Sequence, residues 1–330
     1  GGGTAGHVLP IIPLIEKLVV EGVTVNYIGS KGGIEKDLVN PLNIAYTPIR
    51  TGKLRRYFSF RNLVDFFQVP AGMYEALKIL RQIAPDIVFS KGGYVAFPVV
   101  VAAWVLRIPV VAHESDLSPG LANRLCLPFL ETLCVNFSET KVRVRRKVVT
   151  GIPLRRELLE GDRNRGRNYL GISDPKRQVL LVFGGSLGAE AINRLVRACL
   201  PILLKTVDVI HVCGKDKIDT TFNNLKGYIQ KEFVSDEWGD VLAATDAVVS
   251  RAGANSIYEL IALRIPHLLI PLPLSVSRGD QLENAALMAG KGLSMGRHEE
   301  DLAPDNFLEC IKDLMDGAKT RKEMDVISPA

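Results

Sequence analysis

VFSKGGYVAFPVVVAAWVLRIP at residues 88–109 and VVSRAGANSIYELIALRIP at residues 248–266 are two copies of one sequence pattern, about 160 residues apart. In each copy an apolar strand runs into a polar turn that contains glycine, an apolar helix follows, and a second strand begins after a proline. Ser90-Lys91-Gly92-Gly93 in the first copy corresponds to Ser250-Arg251-Ala252-Gly253 in the second. The pattern therefore predicts one β-turn-α-β unit that the chain uses twice.

Strands and helices alternate on both sides of these copies, which predicts parallel sheets covered on both faces. Because a single core stops growing near ~250–300 residues, a chain of 330 residues is expected to form two domains. Residues 151–176 break the alternation with charge, glycine and proline, and they mark the boundary. We predict an α/β fold with two Rossmann-like, doubly wound parallel-sheet domains, residues 1–152 and 153–330. The last helix, at about 305–330, is expected to pack back on the first domain.

Individual elements of the first half also follow from the pattern. A helix is predicted at about residues 72–83, and strands are predicted at residues 23–28, up to 46, 87–89, 110–113, 133–136 and 145–150.

Four glycine-bearing turns precede predicted helices, at residues 1–6, 91–93, 184–188 and 251–253. Such turns present free backbone N–H groups and the positive end of the helix dipole, which suits a phosphate or pyrophosphate. One such turn alone is equally explained by close helix–strand packing, whereas four in paired positions favour anion binding. A turn of this kind normally follows a strand, which in doubly wound folds lies in the middle of the sheet. We therefore expect either that this first strand is missing ahead of residue 1 or that another segment takes its place.

Composition narrows the class of protein. With 47% hydrophobic and 23% charged residues the chain is an ordinary globular protein, and its formal charge of +5 suits a partner with phosphates or an anionic membrane surface without indicating nucleic acid. The five cysteines show no metal-ligand or disulfide spacing, which favours a reducing, cytoplasmic setting. The most apolar stretch, residues 94–106, is too short to span a bilayer.

Several polar residues near these turns have both a chemical and a packing interpretation. His7 could act as a general base, and the alternative is that it caps or packs at the start of a helix. Glu259 could hold the hydroxyls of a ribose, and the alternative is that it lies on a solvated helix face. Gln281, in a polar cluster with Asp280 and Asn284, suits sugar hydroxyls, although Asp280 is also a plausible helix cap.

Residues 49–73 interleave basic and aromatic side chains. Basic residues beside exposed aromatics bind an anionic membrane surface at ~1 kcal/mol per basic residue, and the alternative is a solvated loop whose aromatics enter the core. The basic residues are Arg50, Lys53, Arg55, Arg56 and Arg61, and the aromatic ones Tyr57, Phe58, Phe60, Phe66 and Phe67.

Taken together, the motifs resemble the MurG family of glycosyltransferases. They are GGGTAGH at 1–7, SKGGYVAFP at 90–98, HESDLSPGLANR at 113–124, TGIPLR at 150–155, FGGSLGA at 183–189, HVCGK at 211–215 and SRAGANSIYEL at 250–260. The resemblance implies a GT-B architecture with the two domains facing across a cleft. It also implies inverting transfer of N-acetylglucosamine from UDP-N-acetylglucosamine to the 4-hydroxyl of the muramoyl sugar of lipid I, which gives lipid II.

The resemblance also assigns residues, by position in the motifs. His7 is the expected general base. Donor binding falls to Thr4, Gly6, Arg155, Ser186, Phe233, Val234, Gly253, Glu259 and Gln281, and acceptor binding to Gly3, Gly92, Gly93, Tyr94, Glu114, Asp116 and Asn123. Many members have HEQN where this chain has His113-Glu114-Ser115-Asp116, so Asp116 is expected to accept hydrogen bonds from hydroxyls.

The partners implied are UDP-N-acetylglucosamine, undecaprenyl-linked lipid I, and an anionic membrane surface bound through residues 49–73 at the cytoplasmic face of the bacterial cell membrane. No acidic pair at metal-ligand spacing stands out, so we predict no metal and no cofactor, with backbone amides and Arg155 stabilising the leaving UDP. Two alternatives remain: a related glycosyltransferase that acts on diacylglycerol, and a non-catalytic UDP-sugar-binding protein.

Overall fold

The computed structural model describes residues 5–33, 35–52, 60–185 and 188–316, without the side chains of residues 5 and 60–67. The chain divides into two compact units, Gly1–Pro153 and Leu154–Ala330. Each unit is an α/β domain with parallel strands, as the alternation of apolar segments predicts.

The first domain holds its six strands in two separate parallel sheets. One pairs β1 (Asn26–Ser30) with β2 (Ala45–Ile49); the other has four strands in chain order: β3 (Val88–Ser90), β4 (Val110–Glu114), β5 (Thr132–Val135) and β6 (Lys147–Val149). The helices are α1 (Ala5–Val8), α2 (Ile12–Val20), α3 (Glu35–Val39), α4 (Phe60–Ile83), α5 (Ala96–Val105) and α6 (Leu121–Cys126).

An apolar groove of about 220 Å³ lies between these two sheets, lined by β1, β3, α2 and α5. β1 and β3 each have one paired neighbour among the described residues, so the edges that meet the groove are unpaired. Ile87 and Phe89 line the groove and are 54% and 40% exposed. The groove therefore combines apolar walls with two unpaired strand edges.

The second domain has one parallel sheet of six strands in the order β12-β11-β10-β7-β8-β9. This is the doubly wound order of Rossmann folds, with the first strand of the domain at its centre. The strands are β7 (Gln178–Phe183), β8 (Val207–Val212), β9 (Tyr228–Lys231), β10 (Ala247–Ser250), β11 (His267–Leu269) and β12 (Met295–Gly296).

Helices α7 (Arg156–Leu159) and α8 (Arg163–Leu170) open the second domain. They are followed by α9 (Glu190–Leu203), α10 (Trp238–Ala244), α11 (Ala254–Ala262), α12 (Asp280–Gly290) and α13 (Pro304–Asp316). α13 buries Phe307, Ile311 and Leu314 in a core that it shares with α9 and the sheet. Residues 317–330 lie outside the described residues, so the expected return of residues 305–330 to the first domain stays a prediction.

Both copies of the duplicated pattern fold as predicted, as β3-α5-β4 and β10-α11-β11. Two residues beyond the end of each helix lies an arginine in the left-handed conformation, Arg107 at φ 59° and Arg264 at φ 55°. The next residue then turns its N–H back to the helix: Ile108 donates to the Ala103 carbonyl and Ile265 to that of Leu260. This is the Schellman arrangement, which satisfies the last carbonyls before the chain enters the following strand.

Element boundaries differ from the sequence prediction most clearly for one helix and one strand. The helix predicted at about 72–83 begins at Phe60 and continues through Pro70. The strand predicted at residues 23–28 lies at Asn26–Ser30, because alternation of apolar residues marks a buried strand more sharply than it marks the strand's ends.

Candidate functional site

In the first domain, the sequence-predicted residues lie where parallel strands end. Lys91, Gly92 and Gly93 follow β3, Glu114 ends β4, and Asp116 comes two residues later. The carboxyl ends of parallel strands share one edge of a sheet, and ligands of doubly wound folds bind at that edge. The structure therefore brings these residues together as one cluster.

Lys91 is the buried cation of this cluster, with 6% of its surface exposed. Its ammonium contacts Nδ1 of His113 at 2.6 Å and donates to the hydroxyl of Ser115. Burial lowers the pKa of Lys91 to about 8, and the negative charges of Glu114 and Asp116 oppose that shift. Sequence analysis placed Lys91 in one of the glycine-bearing turns but assigned no role to its side chain or to Ser115. The available signal for Lys91 was the charged residue after the strand in both copies of the pattern.

Glu114 organises the loop after β4. Its carboxylate accepts from the backbone N–H of Asp116 at 3.0 Å and of Gly120 at 2.9 Å, and from the Asn123 amide at 2.9 Å. Asn123 in turn lies against Gly92, whose φ is +83° and where an added Cβ would stand 3.0 Å from the amide oxygen. The hydrogen bond between Glu114 and Asn123 therefore holds the loop after β4 against the turn after β3. The positive φ of Gly92 and its closeness to Asn123 both require glycine at this position.

Tyr94 connects this cluster to β1, because its hydroxyl donates to Ser30 Oγ at 3.2 Å. His7 lies in α1 and is half-buried, and Gly6 beside it is exposed. Gly3 and Thr4 lie outside the described residues. Within the described part of the motif at residues 1–7, His7 is the side chain able to transfer a proton, and it lies in the same domain as the Lys91 cluster.

The second domain repeats this layout with different side chains. Gly188 follows β7 with φ +68°, and an added Cβ would meet the Cys213 carbonyl at 2.1 Å, so the turn packs directly on the end of β8. Ser186 lies outside the described residues. Gly253 is the N-cap residue of α11, and no atom lies within 4 Å of the position its Cβ would take. The start of α11 thus leaves open space for a ligand.

Glu259 lies on α11, six residues beyond Gly253, next to two side chains from other elements. Burial raises its pKa; the charge of Arg155 and a hydrogen bond from Trp238 oppose that shift. Trp238 is itself fixed edge-on against Phe183, with ring centroids 5.2 Å apart. Arg155 and Glu259 thus lie close together, and Trp238, which sequence analysis did not single out, joins them.

Three further predicted donor residues occupy different surroundings. Phe233 is 47% exposed, whereas Val234 is half-buried against a core cluster of the second domain. Gln281 accepts a hydrogen bond from the Leu272 N–H at 3.1 Å, which ties the start of α12 to the segment after β11. Asp280 does not cap α12, whose N-cap residue is Gly279; its carboxylate pairs with Arg278 at 3.1 Å.

The described residues contain no group of three His, Cys, Asp or Glu side chains arranged to hold a metal ion. Within the same residues, no helix combines the length and apolar character needed to cross a membrane.

Comparison with known proteins matches each half of the chain to a glycosyltransferase domain. Residues 1–134 match the glycosyltransferase family 28 N-terminal domain, and residues 179–328 match the corresponding C-terminal domain. The UDP-N-acetylglucosamine--N-acetylmuramyl-(pentapeptide) pyrophosphoryl-undecaprenol N-acetylglucosamine transferase of Legionella pneumophila (strain Paris) is 49% identical over 318 residues, 96% of this chain and 87% of that protein. The enzyme of the same name from Clostridium perfringens (strain SM101 / Type A) is 49% identical over 316 residues, 95% of this chain and 88% of that protein.

Solved structures agree with these relatives. Acinetobacter baumannii MurG superposes with a TM-score of 0.77 at 25% identity, over 98% of this chain and 91% of that chain. The kitacinnamycin glycosyltransferase has a TM-score of 0.75 at 16% identity over the same shares and is similar in fold alone. The predicted GT-B class of two Rossmann-like domains is confirmed. This chain therefore belongs to glycosyltransferase family 28 and, within it, to the MurG family of pyrophosphoryl-undecaprenol N-acetylglucosamine transferases.

Proposed function

We propose that this chain transfers N-acetylglucosamine from UDP-N-acetylglucosamine to the 4-hydroxyl of the muramoyl sugar of lipid I, which yields lipid II for peptidoglycan. The observation that carries the proposal is 49% identity over 96% of the chain to enzymes named for this reaction. The resemblance inferred from the motifs and the family match lead to the same reaction. A diacylglycerol acceptor or a non-catalytic role has no comparable support.

Most of the proposed donor-binding residues belong to the second domain. Glu259 accepts hydrogen bonds from the ribose hydroxyls, and Arg155 beside it, with the turn that includes Ser186 and Gly188, faces the pyrophosphate. Gly253 opens the start of α11, Phe233 and Val234 border the uracil, and Gln281 holds the transferred sugar; Thr4 and Gly6 complete the donor set. What supports this is a carboxylate that an arginine and an indole keep in place.

The acceptor binds on the first domain. Gly92, Gly93 and Tyr94 after β3, together with Gly3, face its pyrophosphate, and Asp116 accepts hydrogen bonds from sugar hydroxyls. Glu114 and Asn123 act by shaping the loop, since the Glu114 carboxylate accepts from two backbone N–H groups and from the side-chain N–H of Asn123.

Transfer to a defined acceptor tests the proposed function. Purified protein is incubated with radiolabelled UDP-N-acetylglucosamine and either a short-chain lipid I analogue or diacylglycerol. We expect label in the lipid I analogue and little in diacylglycerol. The reverse distribution, or no transfer to either acceptor, contradicts the proposal.

His7 is proposed as the general base that removes the proton from the acceptor hydroxyl. Loss of a general base costs roughly 10²- to 10⁴-fold in rate. We therefore expect His7→Ala to lower kcat by about that factor and to leave the affinity for UDP unchanged, measured by steady-state kinetics and calorimetry. His298→Ala, which removes an exposed histidine of the second domain, is the control. Near-normal turnover of His7→Ala excludes His7 as the base.

The protein is further proposed to bind an anionic membrane surface at the cytoplasmic face of the bacterial cell membrane, through residues 49–73. Residues 53–59 and the side chains of 60–67 lie outside the described residues. Arg50 is the described basic residue of the segment, and it pairs with Glu75 at 3.1 Å, so its charge is partly used within the domain.

The membrane proposal therefore depends on Arg55, Arg56 and Arg61. Changing the three to Ser is expected to weaken co-sedimentation with phosphatidylglycerol vesicles in a salt-dependent way, since each basic residue near the surface contributes roughly 1 kcal/mol. The control changes three exposed lysines of the second domain to Ser: Lys205, Lys226 and Lys312. Equal losses in both triple variants argue against a specific membrane segment.

A further inference from the structure

The two copies of the duplicated pattern place a buried cation at the same point, directly after the strand. In the second copy this cation is Arg251, and its partners are structural. Arg251 donates to the carbonyls of Ile270 at 3.2 Å and Pro271 at 3.3 Å, and its guanidinium pairs with Glu299 at 2.6 Å. The charge of Arg251 is therefore neutralised within the domain, where it fastens β10 to the segment after β11.

In the first copy the cation is Lys91, and its two contacts are uncharged. His113 donates from Nε2 to the Gly151 carbonyl at 2.8 Å, because a carbonyl can only accept. Its Nδ1 is then the lone-pair nitrogen that accepts from the Lys91 ammonium at 2.6 Å, and the Ser115 hydroxyl accepts a second N–H. An ammonium has three N–H donors. These contacts fix the position of Lys91 and leave its positive charge uncompensated by either partner.

A largely dehydrated ammonium is costly unless an anion completes its surroundings. Glu114 and Asp116 act on Lys91 through space, but Glu114 already accepts three other hydrogen bonds. The residues next to Lys91 are Gly92 and Gly93, both with φ of +83°, and α5 begins just beyond them at Ala96. The surroundings of Lys91 at this edge of the sheet therefore favour an anionic ligand.

We propose that Lys91 binds the pyrophosphate of the lipid-linked acceptor, and that His113 and Ser115 are positioning residues that hold its ammonium toward that ligand. The inference rests on the proposed function, which supplies an acceptor with a pyrophosphate. This pyrophosphate is remote from the reacting hydroxyl and keeps its charge throughout the reaction. Lys91 therefore contributes to acceptor binding equally in the ground state and the transition state, which appears in KM and leaves kcat unchanged.

The kinetic test compares Lys91→Met with the wild-type protein. Methionine keeps the length of the side chain and removes the charge. We expect the KM for a short-chain lipid I analogue to rise roughly 10- to 100-fold, as loss of a hydrogen bond to a charged group predicts, with kcat and the KM for UDP-N-acetylglucosamine unchanged. Lys205→Met, which removes one exposed lysine of the second domain, is the charge-matched control. An unchanged acceptor KM, or equal increases in both KM values, overturns the inference.

A double-mutant cycle separates positioning from general stability. Ser115→Ala is expected to raise the acceptor KM less than Lys91→Met does, and to have no further effect in the Lys91→Met background, because Ser115 acts through Lys91. Additive effects contradict the positioning role of Ser115. Thermal melting of each variant shows whether it is folded, and a folded variant with a normal acceptor KM counts against the proposal.

Binding of farnesyl pyrophosphate provides a readout that needs no turnover. With UDP present to occupy the donor side, calorimetry is expected to show binding to the wild-type protein, with roughly 10-fold or greater loss in Lys91→Met, and no binding of farnesol to either. Equal affinity for both proteins overturns the role of Lys91, even where the wild-type protein transfers sugar to lipid I. Absence of transfer together with Lys91-dependent binding instead contradicts the proposed function and leaves the anion site in place.

Discussion

Of the five histidines, His113, His211 and His267 are buried and held as neutral imidazoles. Each is positioned between a donor and an acceptor: His267, for example, bonds the Ile265 carbonyl through Nδ1 at 2.7 Å and Ser294 Oγ through Nε2 at 2.6 Å. Burial lowers the pKa of His113 and His267 to about 4 and that of His211 to about 3. Protonating the second nitrogen of any of these rings would place its N–H against a hydroxyl or an ammonium that now donates to that nitrogen, so the neighbouring group would have to rearrange.

Acid should therefore destabilise the protein through these histidines. In the unfolded chain a histidine titrates near pH 6.5, so between pH 6.5 and about 4 the unfolded state binds more protons than the folded state. Stability is full above the unfolded pKa and falls as the pH drops, by roughly 1.4 kcal/mol per pH unit for each such group. We expect urea unfolding measured from pH 7 to 5 to show this slope, and His267→Asn to reduce it. His298→Asn, at an exposed position, should leave the slope unchanged; an unaltered slope in His267→Asn contradicts the assignment.

At the scale of elements, the sequence predicted those features that a few neighbouring residues determine, such as where a helix ends. The repeated Leu-Arg-Ile-Pro, at 106–109 and 263–266, marks a helix end and the following strand, and both copies have the same backbone geometry. The start of α4 at Phe60 was not predictable in this way, because Pro70 is a signal for a break within it. Contacts with other elements determine whether a helix continues through a proline. Gly72 of α4, for example, lies so near the end of β2 that an added Cβ would meet the Arg50 carbonyl at 2.2 Å.

When the two domains are compared, the groove between β1 and β3 occupies the position of a strand. In the second domain the strand that precedes the glycine turn, β7, lies at the centre of its sheet between β8 and β10. In the first domain the corresponding position is the groove, with apolar walls from Ile15, Tyr27 and Val99. Unpaired edges and apolar walls together favour an extended apolar segment parallel to β1 and β3.

Filling this groove should stabilise the first domain. A five-residue apolar segment, Val-Ile-Val-Ile-Val, is fused directly before Gly1, since a glycine turn of this type follows a strand. We expect the free energy of unfolding to rise by roughly 1.5–3 kcal/mol for each large side chain that becomes buried, measured by urea titration. Hydrogen exchange should slow at the amides of β1 and β3. A control segment with Asp at its second and fourth positions should give neither effect; equal effects from both segments argue against a strand in the groove.

At the scale of the whole molecule, the site was less predictable than the fold. The motifs identified Glu259 and Arg155, which lie close together, but Trp238 reaches Glu259 from α10, a helix that no motif covers. Similarly, the contact between Lys91 and His113 joins residues 22 positions apart through the pairing of β3 and β4. Side chains from different elements meet through strand order, and strand order is a property of the folded domain rather than of any one motif.

The division into two units also places one tryptophan in each: the chain has two, Trp104 in the first unit and Trp238 in the second. Trp104 is 55% exposed and rests edge-on against Phe129, so Trp104→Phe is a mild change that leaves Trp238 as the sole reporter. Conversely, Trp238→Phe leaves Trp104 to report on the first unit. Fluorescence during urea unfolding can then follow each unit separately.

UDP should stabilise only the unit that binds it. A ligand present at 100 times its Kd adds about 2.7 kcal/mol to the stability of the state that holds it. In Trp104→Phe we therefore expect UDP to move the unfolding midpoint reported by Trp238 to higher urea. In Trp238→Phe the midpoint reported by Trp104 should stay in place, with the UDP concentration raised to 100 times the Kd of that variant, because Trp238 contacts Glu259. Equal shifts at both reporters would mean that the two units unfold as one cooperative body; a shift at Trp104 alone would move the donor site to the first domain.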